Sequence, residues 1–411
     1  METMIARCCG LDVHQGSVVA CVVITETRRK VRREIRTFGT MTRDLEALRD
    51  WLTAEGVTHV AMESTGVYWR PVHNLLHGSF VLVVANAHHI KNVPGRKTDA
   101  KDAEWIADLL RYGLINPSYV PTPEIAELRD LTRYRRKLVG GASAERNRTL
   151  KLLETANIKL ASVAADVFGV SGLSMLRALA SGQSTVAEMA SLARGRLRRK
   201  LAPLALALDG RMTDHHRFLL TVQLHRLEAI DHDIALLDRR ITEKTAPFER
   251  QIALLTQIPG VDRLSAIAIV AEVGIDMSHW PTAQKLAAWA GLCPGNYESA
   301  GRSKGAGLRR GNVHLKAALY VAASAAARQR GSYLKNKYHR LKSRRGARRA
   351  GIAIAIAHKI LVSAYRMLTG DLPYQELGET YLDRLAERRV THNLTRRLRA
   401  LGYEVTLTKA A

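Results

Sequence analysis

The first 122 residues alternate strand and helix signals, and beyond them only helix signals remain. Short β-rich runs occupy 7–14, 18–25, 35–39, 58–62 and 80–85, and apolar residues at helical spacing occupy 44–54, 67–76 and 99–112. Strands that alternate with helices in this way predict a sheet covered by helices. The fold class is therefore predicted to be an α/β amino-terminal domain followed by an all-α remainder.

The order of three strands and then alternating helices and strands matches the ribonuclease-H-like layout, in which acids meet at one edge of the sheet, where ligands commonly bind. Asp12 and Glu63 interrupt apolar strand runs, where an unpaired charge would be costly. Asp99 and Asp102 share one face at the start of a helix. Carboxylate oxygens are hard ligands, so these acids predict a site for Mg²⁺ or Mn²⁺. Glu104 and Asp108 are interpreted as surface acids.

Changes in these signals predict three domains, at 1–122, 123–250 and 251–411. The second contains a heptad seam that suggests a coiled coil, and a helix packed within the monomer explains it equally well. The seam consists of Leu220, Leu227, Ile230, Ile234, Leu237 and Ile241. The third opens with Ile258-Pro259-Gly260-Val261, which resembles a helix-hairpin-helix turn that presents backbone N–H groups to phosphate. Asp262 follows, where such hairpins often have glycine.

Positive charge is concentrated in the last third of the chain. The net charge is +25, and 299–370 contains seventeen Lys or Arg and no Asp or Glu. A solvated surface normally mixes both signs, so this stretch predicts contact with a nucleic acid. The expected contacts are Arg302, Lys304, Arg309, Arg310, Arg344, Arg345, Arg348 and Arg349. Only 5% of residues are aromatic, which disfavours base stacking as the main binding mode.

The cysteines and the apolar runs restrict the class of protein further. The four cysteines have no zinc-binding spacing, and three of them are expected to be small buried hydrophobes in strands. No run approaches the roughly 18 apolar residues of a membrane span, and the amino terminus lacks a signal-peptide core. We therefore expect a soluble cytoplasmic protein with no membrane partner.

Ser299 lies in a glycine-bearing loop that opens the basic stretch. A serine there is by default an inert turn residue. As a nucleophile it would need a phosphodiester nearby, cations to neutralise the developing charge, and a group to take the hydroxyl proton. Arg302, Lys304, Arg309 and Arg310 could supply the charge, but 299–370 contains no acidic base. Ser303 has the same local chemistry, and spacing alone does not separate the two.

The chain as a whole resembles the DEDD transposases of bacterial insertion sequences, whose relatives include the Piv-type DNA invertases. Six segments carry the resemblance, and their order and separation make it specific. They are Gly10-Leu11-Asp12-Val13-His14, Met62-Glu63-Ser64-Thr65-Gly66, Lys97-Thr98-Asp99-Ala100-Lys101-Asp102-Ala103-Glu104, Ile258-Pro259-Gly260-Val261, Asn296-Tyr297-Glu298-Ser299-Ala300-Gly301 and Arg309-Arg310-Gly311-Asn312. Residues 155–250 carry no motif.

The resemblance implies a RuvC-like domain, a coiled-coil segment and a carboxy-terminal transposase domain in a bacterial, nucleoid-associated protein. It also implies that Asp12, Glu63, Asp99 and Asp102 hold Mg²⁺ while Ser299 attacks DNA to form a phosphoserine link. A structured bridge RNA would pair with donor and target DNA. Dimers would assemble into a tetramer whose composite sites bring a base to the serine.

Two other functions compete with DNA recombination. A RuvC-type junction nuclease would use the same acids but water as its nucleophile, and it would leave hydrolysed ends without a covalent adduct. A non-catalytic nucleic-acid-binding protein would not depend on Asp12 or Asp102 at all. The residues alone indicate a metal-dependent nucleic-acid enzyme, and only the resemblance adds RNA guidance and covalent serine chemistry.

Overall fold

The computed structural model describes residues 3–26, 30–64, 66–86, 90, 102–295, 298–299, 302–303, 307–343, 348–385 and 387–407. The chain divides into two compact units, Met1–Val120 and Pro121–Ala411. The first has a mixed sheet with helices and the second is mainly helical, which confirms the predicted fold class of α/β followed by helices. The three-domain division remains a prediction.

A five-stranded sheet forms the centre of the first unit. Its strands are β1 (Arg7–Val13), β2 (Ser17–Thr25), β3 (Val31–Gly39), β4 (His59–Glu63) and β5 (Val81–Ala85), in the order β3-β2-β1-β4-β5. The first three strands are antiparallel neighbours, whereas β1, β4 and β5 run parallel. The carboxyl ends of β1 and β4 therefore lie together at one edge of the sheet.

Helices cover both faces of this sheet, because side chains alternate between the faces along every strand. One face packs against α1 (Thr42–Ala54) and α2 (Trp69–Leu76), with Leu11 and Met62 in that core. The other packs against α3 (Asp102–Arg111). Cys8 and Cys21 belong to this second core, as expected for cysteines that act as small hydrophobes. Burial raises the pKa of the Cys8 thiol to about 12.

Gly10 allows α3 to approach β1 more closely than any side chain would permit. A Cβ at this position would lie 2.2 Å from the Ala103 carbonyl oxygen and 2.4 Å from the Ala107 nitrogen. A second link joins the same helix to β3, where Arg33 Nη2 donates to both carboxylate oxygens of Asp108 at 2.9 Å. Asp108 is therefore an ion-pair partner within the fold rather than only a surface acid.

Two long helices, α4 (Pro123–Thr155) and α9 (Asp214–Thr245), dominate the first part of the second unit. Ion pairs join Lys244 to Glu127 and Arg146 to Asp231. The two helices therefore pack against each other in antiparallel directions. Leu220, Leu224, Leu227, Ile230 and Ile241 are buried on α9. The heptad seam thus packs within the chain, as the monomer interpretation expected, and a coiled coil between subunits remains a prediction.

Shorter helices make up the rest of the second unit. They are α5 (Leu160–Val163), α6 (Val170–Ser181), α7 (Val186–Ser191), α8 (Leu201–Leu208), α10 (Glu249–Leu255), α11 (Arg263–Val273), α12 (Ala283–Trp289), α13 (Val313–Ala326), α14 (Tyr333–Lys342), α15 (Arg349–Gly370), α16 (Tyr381–Leu385) and α17 (Glu387–Ala400). Single 3₁₀ turns occur at Gly195–Lys200, Ala246–Phe248 and Met277–His279. A two-stranded hairpin, β6 (Glu298–Ser299) and β7 (Arg302–Ser303), interrupts them.

The turn between α10 and α11 contains the predicted hairpin motif. Gly260 has a φ of 85°, and a Cβ there would lie 2.4 Å from the Ala322 carbonyl oxygen of α13. Asp262 caps α11, since its Oδ1 accepts a hydrogen bond of 2.8 Å from the Ser265 nitrogen. The aspartate that departs from the usual glycine thus has a structural role, and phosphate contact by this turn remains a prediction.

Helix α15 is long and apolar enough to cross a membrane by length and composition alone. Half of its most apolar stretch is buried inside the second unit. Its fully buried residues include Ile356, Ala357, Ile360 and Leu361. This length, apolar composition and burial are also those of a core helix in a globular unit.

The Gly10 contact predicts the effect of a single added methyl group. Gly10→Ala should lower the free energy of unfolding of the first unit by about 1–3 kcal/mol, because the new Cβ must push α3 away from β1. Urea titration followed by circular dichroism measures this change. Gly16→Ala is the control, since its Cβ would have no atom within 4 Å. Equal stability of the two variants would contradict the close contact.

Candidate active site

The ends of β1 and β4 place two of the predicted acids in adjacent positions. Leu11 pairs with Met62 in the parallel register, so Asp12 and Glu63 are the next residues on neighbouring strands. Glu63 in turn pairs with Ala85 of β5. The acids thus lie at the carboxyl edge of the sheet, where ligands commonly bind in open α/β sheets.

Helix α3 adds a third acid on the same face. Cys8 and Ala61 pack against this helix, and residues two positions apart on a strand share a face, so Asp12 and Glu63 point to the side that α3 covers. Asp102 is the first residue of α3 and immediately precedes Ala103, whose carbonyl oxygen approaches Gly10. The elements that carry Asp12, Glu63 and Asp102 thus meet at one corner of the first unit, and a joint role of the three acids remains a prediction.

The chemistry of this corner fits a divalent cation. Carboxylates are the ligands that Mg²⁺ takes from proteins, usually one or two of them together with water and substrate phosphate. Asp99, the fourth predicted acid, lies outside the described residues. Within the residues that the structure describes, no three His, Cys, Asp or Glu side chains form a group that could hold a metal ion. The four-acid ligand set thus remains a prediction.

His14 is a neighbour of Asp12 that sequence reasoning did not assign to the site. Its Nε2 lies 3.1 Å from Asp12 Oδ2, and the Asp12 side chain is 27% exposed. Asp12 is thus a partly exposed carboxylate near the carboxyl end of β1 rather than a fully buried one. A histidine two residues after a candidate acid, on the same strand face, is the signal that could have identified this pair.

Ser299 lies in β6 of the two-stranded hairpin of the second unit, and we call residues 293–309 the serine arm. Its base is paired through Pro294 and Leu308, with the Gly295 nitrogen donating to the Gly307 oxygen at 3.0 Å. Farther out, Ser299 is the cross-strand partner of Arg302, whereas Ser303 is the partner of Glu298.

The two chain segments that enter and leave the serine arm cross at two glycines, and we call Gly291, Gly311 and Asn312 the arm root. A Cβ on Gly311 would lie 2.3 Å from the Gly291 nitrogen. Asn312 then caps α13, with its Oδ1 accepting hydrogen bonds from the His314 and Leu315 nitrogens at 3.0 and 2.9 Å. The arm is therefore fixed where it meets the helices.

A buried carboxylate that sequence reasoning missed lies beside the arm root. Glu272 is 2% exposed and accepts two hydrogen bonds of 2.7 Å from Arg133 and one of 2.6 Å from Asn312 Nδ2. Arg129 lies 3.6 Å away. Burial acts to raise the pKa of Glu272, but hydrogen bonds from Arg133 and Asn312 outweigh it and lower the pKa. The signal in the sequence that could have identified this site is the single acidic residue, Glu272, in the short and mostly apolar helix α11.

The predicted cationic contacts are spread over the second unit. Arg302 lies in β7, Arg309 is the last residue of the serine arm, and Arg310 follows it; Arg309 and Arg310 are exposed. Arg348 is the N-cap residue of α15 and Arg349 its first residue, both exposed. Lys304, Arg344 and Arg345 lie outside the described residues.

Comparison with known families agrees with this arrangement. Residues 9–158 match a family model of DEDD transposases of the IS110 type, described as transposase. Residues 252–339 match a second model, described as transposase of the IS116/IS110/IS902 family. No curated protein matches the chain significantly.

Both matched segments contain the features described above, with the acids in the first and Glu272 and Ser299 in the second. The chain belongs to the IS110-type DEDD transposases, which confirms the resemblance. It is therefore a transposase of an insertion sequence, an enzyme that cuts and recombines DNA.

The lowered pKa of Glu272 predicts how stability changes with pH. A carboxyl group whose folded pKa lies below its unfolded value of about 4.3 stabilises the fold above that value and loses this effect as pH falls through the folded pKa. Glu272→Gln should cost about 3 kcal/mol at pH 7, because two arginines lose their buried partner, and the gap from wild type should narrow below about pH 4.

Urea unfolding at several pH values, followed by tryptophan fluorescence, measures this gap, since Trp280 and Trp289 lie in the same unit. The control is Glu228→Gln, which removes a half-exposed ion pair with Arg177 and should cost less than about 1 kcal/mol. A gap that stays constant down to pH 3 would show that Glu272 does not carry the predicted charge.

Proposed function

We propose that this transposase cuts and rejoins DNA through the Ser299 hydroxyl, assisted by a carboxylate–metal site in the first unit. The observation that supports the proposal is the placement of Asp12 and Glu63 at adjacent strand ends, with Asp102 at the start of the helix that packs on the same face of the sheet. Such acids add nothing to the binding of a polyanion, because they repel phosphate unless a cation lies between. Their presence in a strongly basic chain therefore favours catalysis over binding alone.

The acids and the serine have separate roles in the proposed reaction. Asp12, Glu63, Asp99 and Asp102 would hold Mg²⁺ or Mn²⁺, which supplies Lewis-acid polarisation of a phosphate oxygen. Ser299 Oγ forms a bond to phosphorus as the bond from phosphorus to one deoxyribose oxygen breaks, and that oxygen leaves as a hydroxyl. Attack on the phosphoserine by another strand's hydroxyl restores the serine, so no ATP is consumed.

The family resemblance supports Ser299 over Ser303 as the nucleophile, because Asn296-Tyr297-Glu298-Ser299-Ala300-Gly301 is the segment that resembles the transposases. In the backbone register of the hairpin, Ser299 is paired with Arg302 and Ser303 with Glu298.

The start of α15 supports a contact between the basic stretch and the DNA backbone. Arg348 is the N-cap of this helix and Arg349 its first residue, and among the residues described the first turn has no acid and the Arg348 side chain makes no capping hydrogen bond. Cations at the positive end of a helix dipole are unfavourable by themselves. A phosphate bound there would be stabilised by both arginines and the unpaired backbone N–H groups.

We further infer that a structured bridge RNA, paired with donor and target DNA, selects the sites. The family resemblance and the net charge of +25 support this inference. Dimers that assemble into a tetramer, acting at the bacterial nucleoid, follow from the same resemblance. RNA that co-purifies with the protein tests the guidance directly: one structured species from the flanks of the gene supports it, and random fragments contradict it.

Ser299→Ala should abolish the covalent DNA–protein adduct while leaving DNA binding unchanged, because only the nucleophile is lost. The expected fall in adduct formation is about 10⁴-fold or more. A supercoiled plasmid carrying the gene with its flanking DNA serves as substrate, and denaturing gels detect DNA-linked protein. Ser303→Ala is the matched control and should retain the adduct.

Two outcomes would contradict this assignment. An adduct that persists in Ser299→Ala and vanishes in Ser303→Ala would transfer the nucleophile to Ser303. Hydrolysed ends without any adduct, at equal rates in wild type and Ser299→Ala, would instead establish the RuvC-type nuclease with water as nucleophile.

Replacing Arg348 and Arg349 by Gln should weaken DNA binding and flatten the dependence of log affinity on log salt by about one unit for each lost phosphate contact. Filter binding over a range of NaCl concentrations measures the slope. The control replaces the exposed Arg196 and Arg199, for which no DNA contact is proposed. Equal slopes in wild type and the Arg348/Arg349 variant would remove α15 from the interface.

A further inference from the structure

The Glu272 cluster connects parts of the chain that are far apart in sequence. Arg129 and Arg133 lie on α4, Glu272 lies on α11, and Asn312 belongs to the arm root. Arg129 also donates to the Ala271 and Glu272 carbonyl oxygens at 3.0 and 2.9 Å, which fixes the last turn of α11 against α4. One carboxylate thus ties the base of the serine arm to the first long helix of the second unit.

The hydrogen bonds of Asn312 assign its amide group without ambiguity. Oδ1 must accept, because its partners are the backbone N–H groups of His314 and Leu315. Nδ2 must donate, because its partner is the Glu272 carboxylate, 2.6 Å away. An amide side chain satisfies both partners at once, since it has an acceptor on one side and a donor on the other.

This geometry is specific for an amide opposite a carboxylate. Aspartate at 312 would still cap α13, since Asp and Asn are equally good N-caps. It would also set a second carboxylate against Glu272 in a buried place, where like charges are strongly unfavourable. Serine at 312 would cap the helix but would be too short to reach Glu272.

We propose that Glu272 and Asn312 are positioning residues that hold the root of the serine arm, and thereby Ser299, in the orientation required for attack. Among the residues described, the other contacts at the base of the arm are the pairing of Pro294 with Leu308, the hydrogen bonds from Gly295 to Gly307 and from Arg309 to Cys293, and the crossing of Gly291 with Gly311. Misplacement of a reacting group by about 1 Å can cost about 10²-fold in rate.

This inference rests on the proposed role of Ser299, and substitution of the two side chains tests it. Asn312→Asp should slow adduct formation at least 10-fold per folded, DNA-bound protein, while the Kd for the same plasmid DNA stays within about twofold. Glu272→Gln should slow adduct formation in the same way, because an amide nitrogen cannot accept the hydrogen bonds that Glu272 Oε2 receives from Arg133 Nη2 and Asn312 Nδ2.

Two further variants complete the test. Thr282→Asp is the control, because it introduces the same charge at the N-cap of another helix, α12. Thr282 Oγ1 already accepts a hydrogen bond there from the Lys285 nitrogen. This variant should leave the rate of adduct formation unchanged. Asn312→Ser removes the Glu272 bond without creating repulsion, so it should lower the rate even if Asn312→Asp folds poorly. Circular dichroism and thermal melting establish the folded fraction of each variant.

The results separate the two proposals. If Ser299→Ala abolishes the adduct but Asn312→Asp and Asn312→Ser both react within twofold of wild type, the positioning role is wrong and the nucleophile stands. Adduct formation by folded Glu272→Gln within twofold of the wild-type rate also overturns the positioning role. Persistence of the adduct in Ser299→Ala overturns the proposed nucleophile itself.

Discussion

The close contact of α3 with β1 at Gly10 is the constraint on which the first unit's chemistry depends. Backbone meets backbone there, because a Cβ would lie 2.2 Å from the Ala103 carbonyl oxygen. That contact sets the start of the helix, and therefore Asp102, over the strand ends that carry Asp12 and Glu63. Each acid is contributed by a different element, and the packing of apolar surfaces around Gly10 holds these elements against one another.

In the second unit, too, glycines allow two backbone segments to come into close contact. Gly291 and Gly311 cross at the base of the serine arm, and Gly260 packs against the backbone of α13. Glu272 adds a directional constraint that glycine contacts cannot supply, because each hydrogen bond fixes an angle as well as a distance. Close packing brings the segments together, and the buried polar cluster determines their orientation.

Much of the fold could be predicted because its signals are local. Alternating apolar residues identified the strands of the first unit, and the acids at the ends of β1 and β4 interrupted those runs visibly. The heptad seam on α9 was equally visible, but periodicity does not identify the partner helix, which is α4 of the same chain. Glu272 was missed because its partners Arg133 and Asn312 are distant in sequence, and only the tertiary structure brings them together.

The proposal that Asp12, Glu63 and Asp102 hold a cation is central to this account, and calorimetric titration of the full-length protein with Mn²⁺ tests it most directly. The account predicts saturable binding to wild type that is lost in Asp12→Asn and Glu63→Gln, with thermal melting of the metal-free proteins unchanged. Glu104→Gln, one residue beyond Ala103 on the same helix, should bind as wild type does. Equal Mn²⁺ affinity in wild type, Asp12→Asn and Glu63→Gln would contradict the assignment of these acids.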